Sequence, residues 1–201
     1  MRVNAKVQRM TGLALLTALI VVLQLVATFI KVGPFPITLA LAPIIIGAAL
    51  YGPKAGAYLG GVFGVVVLVA CVMGWDPGGS LLWNAQPILT GVLCVGKGAA
   101  AGWAAGMVYK AMARVNPMAG VVLAGIVSPV ANTGIFLLAL YFPFHSFLVA
   151  WASAVGADIA TYILTVLVGV NFLVEMAVNL VLSSVIVRII EVRRRTSPRF
   201  A

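Results

Sequence analysis

Apolar residues along this chain do not alternate with polar ones. They come in continuous runs of about twenty, each closed by a short stretch of proline, glycine or basic residues. About 20 residues rising 1.5 Å each cover the ~30 Å hydrocarbon core of a bilayer, so each such run is read as a membrane-crossing helix. Six spans are predicted, over residues 11–30, 37–50, 55–73, 87–108, 118–141 and 166–188. The second is short and contains Pro43, and the two prolines of 31–36 break the chain before it. Between the third and fourth spans, 74–80 reads as a turn-rich loop carrying Asp76, followed by Trp83, Asn84 and Gln86 at a membrane interface. One further apolar stretch, 147–165, contains Asp158 and Thr161 and is either a span or a helical cap over the outer face.

The basic residues decide between those two. With 147–165 as a cap, both tails and the loops at Lys54 and at Lys110 and Arg114 share one side, and that side holds nearly every Lys and Arg. With 147–165 as a span, Arg193, Arg194 and Arg195 fall opposite Arg2, Lys6 and Arg9, against the positive-inside tendency. The expectation is therefore an all-α integral membrane protein: a six-transmembrane-helix bundle forming a single membrane domain over 1–201. An extracellular helical cap segment lies between helices 5 and 6, and both termini are cytoplasmic.

Composition agrees, at 63% hydrophobic, 8% charged and mean hydropathy +1.17. The net charge of +9 would suit nucleic acid in a soluble protein, but here it sits in short loops and tails and reads as membrane topology. The basic start followed by 11–30 resembles a signal peptide, yet that run is too long for one and is kept as the first span. No phosphate-binding loop is present, so energy from ATP would come from another chain, and no Gly-x-Ser-x-Gly, His-Glu-x-x-His or carboxylate–histidine constellation supports an enzyme. Cys71 and Cys94 lie in apolar segments without metal spacing and read as packing residues, and nothing calls for a cofactor.

Polar residues inside the spans carry the candidate chemistry. Asn171, Glu175 and Asn179 are four apart and share one face of the last helix. A carboxylate in a span costs roughly 2.5 to 3.5 kcal/mol, so it is seldom kept without a partner or a task. Lys97 lies about ten residues, or about 15 Å, into the fourth span, and Asn132 and Glu175 fall at a similar depth from the outer side. Thr133, Asn171 and Gln86 lie nearer the outside. Two readings follow: an ion pair between Lys97 and Glu175 that holds two helices together, or a pocket in the outer half of the bilayer for a polar solute. Trp83 and Asn84 are a belt element or the mouth of such a pocket, Trp75 is a belt residue, and His145 is solvated. Gln24 and Ser128 read as packing hydrogen bonds. Small residues four apart recur at Ala14 and Ala18, at Gly56, Gly60 and Gly64, and at Gly98, Gly102 and Gly106. The glycine ladders are internal packing faces, and the alanine pair is either packing or a docking face for another subunit.

Several motifs, in their order and spacing, resemble the substrate-binding S component of energy-coupling factor (ECF) vitamin transporters. They are Ala14-Leu-Leu-Thr-Ala18, Pro36-Ile-Thr-Leu-Ala-Leu-Ala-Pro43, Gly60-Gly-Val-Phe-Gly64, Lys97-Gly98, Gly102-Trp-Ala-Ala-Gly-Met-Val-Tyr109, Pro129-Val-Ala-Asn-Thr-Gly134 and Asn171-Phe-Leu-Val-Glu-Met-Ala-Val-Asn179. The resemblance implies a bundle in a prokaryotic plasma membrane that captures a water-soluble vitamin from outside. It implies as partners a transmembrane T component, docked through Ala14 and Ala18, and two cytoplasmic ATPase subunits. It implies a site in the outer halves of the last helices and the outer loops, for which Lys97, Asn132, Thr133, Asn171, Glu175, Asn179, Asn84, Gln86 and Trp83 are the candidates. Lys97 suits a carboxylate and favours a pantothenate-like solute. Glu175 could neutralise that lysine, which keeps pyridoxine, pyrimidine and cobalamin types open. A stand-alone secondary transporter or channel is the alternative.

Overall fold

The computed structural model describes residues 5–32, 35–36, 38–170, 172–173, 175–177, 179–181 and 188. The first helix, α1 (Ala5–Thr28), begins ahead of the predicted span and ends before it. A two-residue antiparallel pair, β1 (Lys31–Val32) with β2 (Phe35–Pro36), replaces a continuous chain where two prolines deny the backbone its helical donors. Helix α2 (Leu41–Tyr51) starts later than expected and, at 11 residues, rises only about 16 Å. It is enclosed by its neighbours, with Leu41, Ile44 and Ile45 fully buried.

Gly52, at φ +91, turns the chain from α2 into α3 (Pro53–Val72), a conformation that L side chains rarely adopt. Against α3 packs α5 (Pro87–Met112), and their seam is the glycine ladder. A Cβ at Gly56 would fall on the Gly102 carbonyl oxygen, one at Gly60 on that of Gly98, and one at Gly64 on that of Cys94. The two backbones are therefore in direct contact. In lipid, where apolar burial between helices gains little, such contact is what holds spans together. The internal-packing reading of these glycines is borne out.

The stretch expected as a loop is instead the start of a helix, α4 (Pro77–Ala85). Asp76 is its N-cap, accepting a hydrogen bond from the Gly79 N–H at 3.0 Å, and Pro77 occupies the first turn, where its missing N–H costs nothing. The same start signal opens α6 (Pro117–Tyr141), with Asn116 accepting from the Met118 and Ala119 N–H groups. The chain then forms α7 (His145–Ala154), α8 (Ile159–Tyr162) and a π-helical segment, Ile163–Val170. Asp158 caps α8 through the Thr161 hydroxyl and N–H, and these bonds hold its carboxyl below the ordinary 3.8. Burial pushes the Tyr162 phenol up. Beyond the π segment, 175–177 and 179–181 are helical.

By length and hydropathy, α1, α3, α5 and α6 can each cross a membrane. A fifth crossing is added if α7 and Ile159–Gly169, which meet at 87°, count as one broken span. The protein is thus an all-helical, multi-pass membrane protein apart from the two-residue pair. One core cluster joins Ile20 of α1 to Leu41, Leu59, Phe63 and the two cysteines. A second joins Leu140 and Phe144 at the end of α6 to Leu148, Ala152, Tyr162 and Leu167.

Candidate functional site

Between these clusters lies a cavity of about 60 Å³, lined from α1, α3, α5, α6, the π segment and the helix after it, and the loops around Thr38 and Asp76. Lys97 enters from α5, beside the glycine seam, and Asn132, Thr133 and Phe136 enter from α6. Glu175 comes from the helix after the π segment, Gln24 from α1, Thr38 from the loop after β2, and Asp76 from the cap of α4. Phe63, Val67, Val166 and Leu167 form the apolar part of the wall. A buried, mostly enclosed space with a few convergent polar groups is the usual form of a small-molecule site.

The polar groups are largely unspent. Glu175 is 3% exposed, and its Oε2 has no hydrogen-bond partner, while Thr38 presents its hydroxyl and N–H to the carboxyl. Asn132, also 3% exposed, leaves its Oδ1 unpartnered, and so does Gln24 its Oε1. A buried acceptor without a donor costs about 1–3 kcal/mol, and a ligand hydroxyl or amide N–H that reaches it recovers that cost. Lys97 is half-buried, with Nζ 4.8 Å from the centroid of the Phe136 ring, where the aromatic face attracts the ammonium. Among the described residues no ion pair within 4.0 Å joins Lys97 to Glu175. The two line one cavity as separate groups. Asp76 is 3% exposed, and the Cys71 thiol donates to its Oδ2 at 3.7 Å, so this cysteine supports the cavity wall from within the core.

Of the residues singled out from the sequence, Lys97, Asn132, Thr133 and Glu175 meet at the cavity. Asn179 is buried one turn from Glu175 and packs on Gly125 of α6, outside the lining, with its Nδ2 unpartnered. Asn171 lies outside the described residues. Asn84 and Gln86 are exposed at the end of α4 and do not line the cavity. Trp83 is half-buried beside an apolar groove between α3 and α5. The sequence reading missed Gln24, Thr38, Asp76 and Phe136 as lining residues. Gln24 did carry a signal, as the one amide in an otherwise apolar span, and Thr38 belongs to the quoted Pro36 to Pro43 motif. Ala14 and Ala18 are exposed on α1, clear of the bundle interior.

Comparison with known proteins adds two findings. Pantothenic acid transporter PanT of Lactococcus lactis subsp. cremoris (strain MG1363) is 28% identical over 210 residues, an alignment covering 96% of this chain and 99% of PanT. The family described as ECF transporter, substrate-specific component, matches residues 8–187, which include α1, the glycine seam, the cavity and Glu175. The chain belongs to the ECF transporter substrate-specific component family.

Proposed function

We propose that this protein is the vitamin-binding subunit of an ECF-type importer, with pantothenate or a closely similar solute as its ligand. The carrying observation is the single cavity where Lys97 meets the unpartnered acceptors of Asn132 and Glu175. Pantothenate bears a carboxylate, two hydroxyls and a secondary amide. Its carboxylate would pair with the Lys97 ammonium, and its hydroxyl and amide donors would pair with the two acceptors. The similarity to PanT along the whole chain supports the same choice over pyridoxine, pyrimidine or cobalamin types. Trp83, Asn84 and Gln86 then flank the outer approach, while Asn171 and Asn179 extend the polar face of the last helix.

In this reading the chain is one six-helix membrane domain of a prokaryotic plasma membrane, with both termini inside. The segment from α7 to the π helix is a cap. At ten residues α7 rises only about 15 Å before the right-angle break, half of what a crossing needs. The cap lays Leu148, Ala152 and Tyr162 over the end of α6 and feeds Val166 and Leu167 into the cavity wall. Transport requires a T component docked on the Ala14 and Ala18 face and two ATPase subunits, and the subunit itself is not an enzyme.

The test is mass spectrometry of small molecules released by denaturing the purified protein, followed by calorimetric titration with a vitamin panel. Pantothenate at near one per protein, lost in Glu175→Ala and Lys97→Ala, is the expected result. Stoichiometric capture of a different vitamin refutes the ligand assignment. No binding across the panel refutes the binding-subunit reading in favour of a stand-alone transporter.

A further inference from the structure

Among the described residues, helix α1 is the least buried of the four long apolar helices: only 17% of its most apolar stretch is buried. Leu15, Leu19, Val22 and Val26 are exposed with Ala14 and Ala18, while Ile20, Gln24, Ala27 and Thr28 form a narrow buried stripe. Within that stripe Gln24 is exceptional. It is 1% exposed, it lines the cavity, and its Oε1 has no partner although the Thr28 hydroxyl donates to its backbone carbonyl at 2.7 Å. An amide kept in an apolar helix, buried and unsatisfied, is a net cost to the empty protein. Its benefit has to come from something that enters the cavity.

We infer that Gln24 is a ligand-binding residue, accepting a hydrogen bond from a hydroxyl or amide N–H of the solute, and that this bond ties α1 to the filled site. The inference rests on the reading of the cavity as a vitamin site. Gln24 stands six residues, about 9 Å, along the same rigid helix from Ala18. A hydrogen bond made at Gln24 therefore restrains the outward face at Ala14 and Ala18, and a filled cavity holds that face in one position. Packing alone holds α1 loosely. One ligand bond on its buried stripe changes its freedom more than the same bond would on α5, which the glycine seam already fixes.

The experiment compares full-length wild type with Gln24→Met, which keeps the side-chain length and removes the acceptor. It measures pantothenate affinity by calorimetry, melting temperature without ligand, and hydrogen exchange along 18–28 with saturating pantothenate. The expected result has three parts: a Kd raised about tenfold or more, a ligand-free melting temperature unchanged or higher, and exchange in α1 slowed by ligand in wild type alone. An unchanged Kd overturns the inference and leaves the vitamin-site reading standing. So does a variant that loses ligand-free stability while binding normally, since that is a packing role. Equal slowing of exchange in both proteins overturns the tie to α1. Wild type that binds no vitamin removes the site reading and this inference with it.

Discussion

Gly60 and Gly61 are adjacent in α3 and point about 100° apart around the helix, only Gly60 into the seam, which turns one substitution made twice into a measurement of that seam. A Cβ at Gly60 would lie 2.6 Å from the carbonyl carbon of Gly98 and 3.1 Å from the Ala99 nitrogen, both backbone atoms that cannot rotate aside. A Cβ at Gly61 meets nothing within 4 Å. Ordinary carbon contacts are about 3.5–4.0 Å, so Gly60→Ala forces α3 and α5 apart by about 1 Å. Overpacking of this kind costs about 1–3 kcal/mol. Both substitutions also gain the same helix propensity, about 0.5–1 kcal/mol, which cancels in the comparison. Gly60→Ala should therefore be about 1–3 kcal/mol less stable than Gly61→Ala, read from unfolding of the two variants in the same detergent. The separation also moves Phe63 and Lys97, which flank the seam and line the cavity, so Gly60→Ala should bind ligand more weakly and Gly61→Ala normally. Equal stability of the two variants would refute the claim that backbone contact between α3 and α5 holds the bundle.

Glu175→Ala removes a buried acceptor that faces the cavity and should weaken pantothenate binding about tenfold or more by calorimetry. Asn84→Ala and Gln86→Ala, exposed beyond the cavity, should stay within about threefold of wild type. Ala14→Trp or Ala18→Trp fills an exposed small-residue face and should abolish uptake in cells and capture of the T component while leaving Kd unchanged; loss of binding would make that face internal packing. Asp158 has its carboxyl depressed by the Thr161 bonds, so its contribution to α8 is complete above pH 3.8 and is lost as pH falls through the lower folded value. The stability of α8 should therefore be flat across neutral pH. Asp158→Ala should speed ligand release in stopped-flow displacement at every pH in that range.

The long spans were legible because their signal is local: twenty apolar residues with proline or asparagine at the start define α3, α5 and α6 without reference to anything else. The glycine ladders were legible for the same reason, since spacing by four places small residues on one face. Helix α4 was not. Gly74, Gly78 and Gly79 read as a turn, and Asp76-Pro77 was not read as a helix start, although the Gly79 N–H is the donor that Asp76 needs. Nor could the start of α2 at Leu41 be read from hydropathy, because Ile37 and Thr38 are apolar enough to extend the run. Thr38 lies outside the helix, over the cavity and facing Glu175, a tertiary contact about 140 residues away in sequence that hydropathy does not carry. Depth counting put Lys97, Asn132 and Glu175 at one level, and the three do line one cavity, because a helix converts sequence distance into height. It could not give azimuth around the helix or the fold of the outer loops. Asn84 and Gln86 therefore stood in the candidate set with Gln24 and Asp76 outside it.

The size of the cavity limits how a ligand reaches it. About 60 Å³ is room for a few waters, and pantothenate has fifteen non-hydrogen atoms, so under the proposed function the walls part when the solute enters. The seam of α3 and α5 is the least able to part, because backbone already touches backbone at Gly56–Gly102, Gly60–Gly98 and Gly64–Cys94. The segment from α7 to the π helix is built differently. It joins α7 to α8 through Gly156 at φ +68 and an exposed turn, and it closes on the bundle through side chains such as Phe144, Leu148 and Tyr162. Such contacts separate in small steps, and the Gly156 turn can absorb the change in backbone angle. Under the proposed function, opening therefore belongs to this segment rather than to the seam. The glycine seam would keep Lys97 in register with α3 throughout, and the site that the proposal closes over the solute is the one outlined by the polar groups of the cavity.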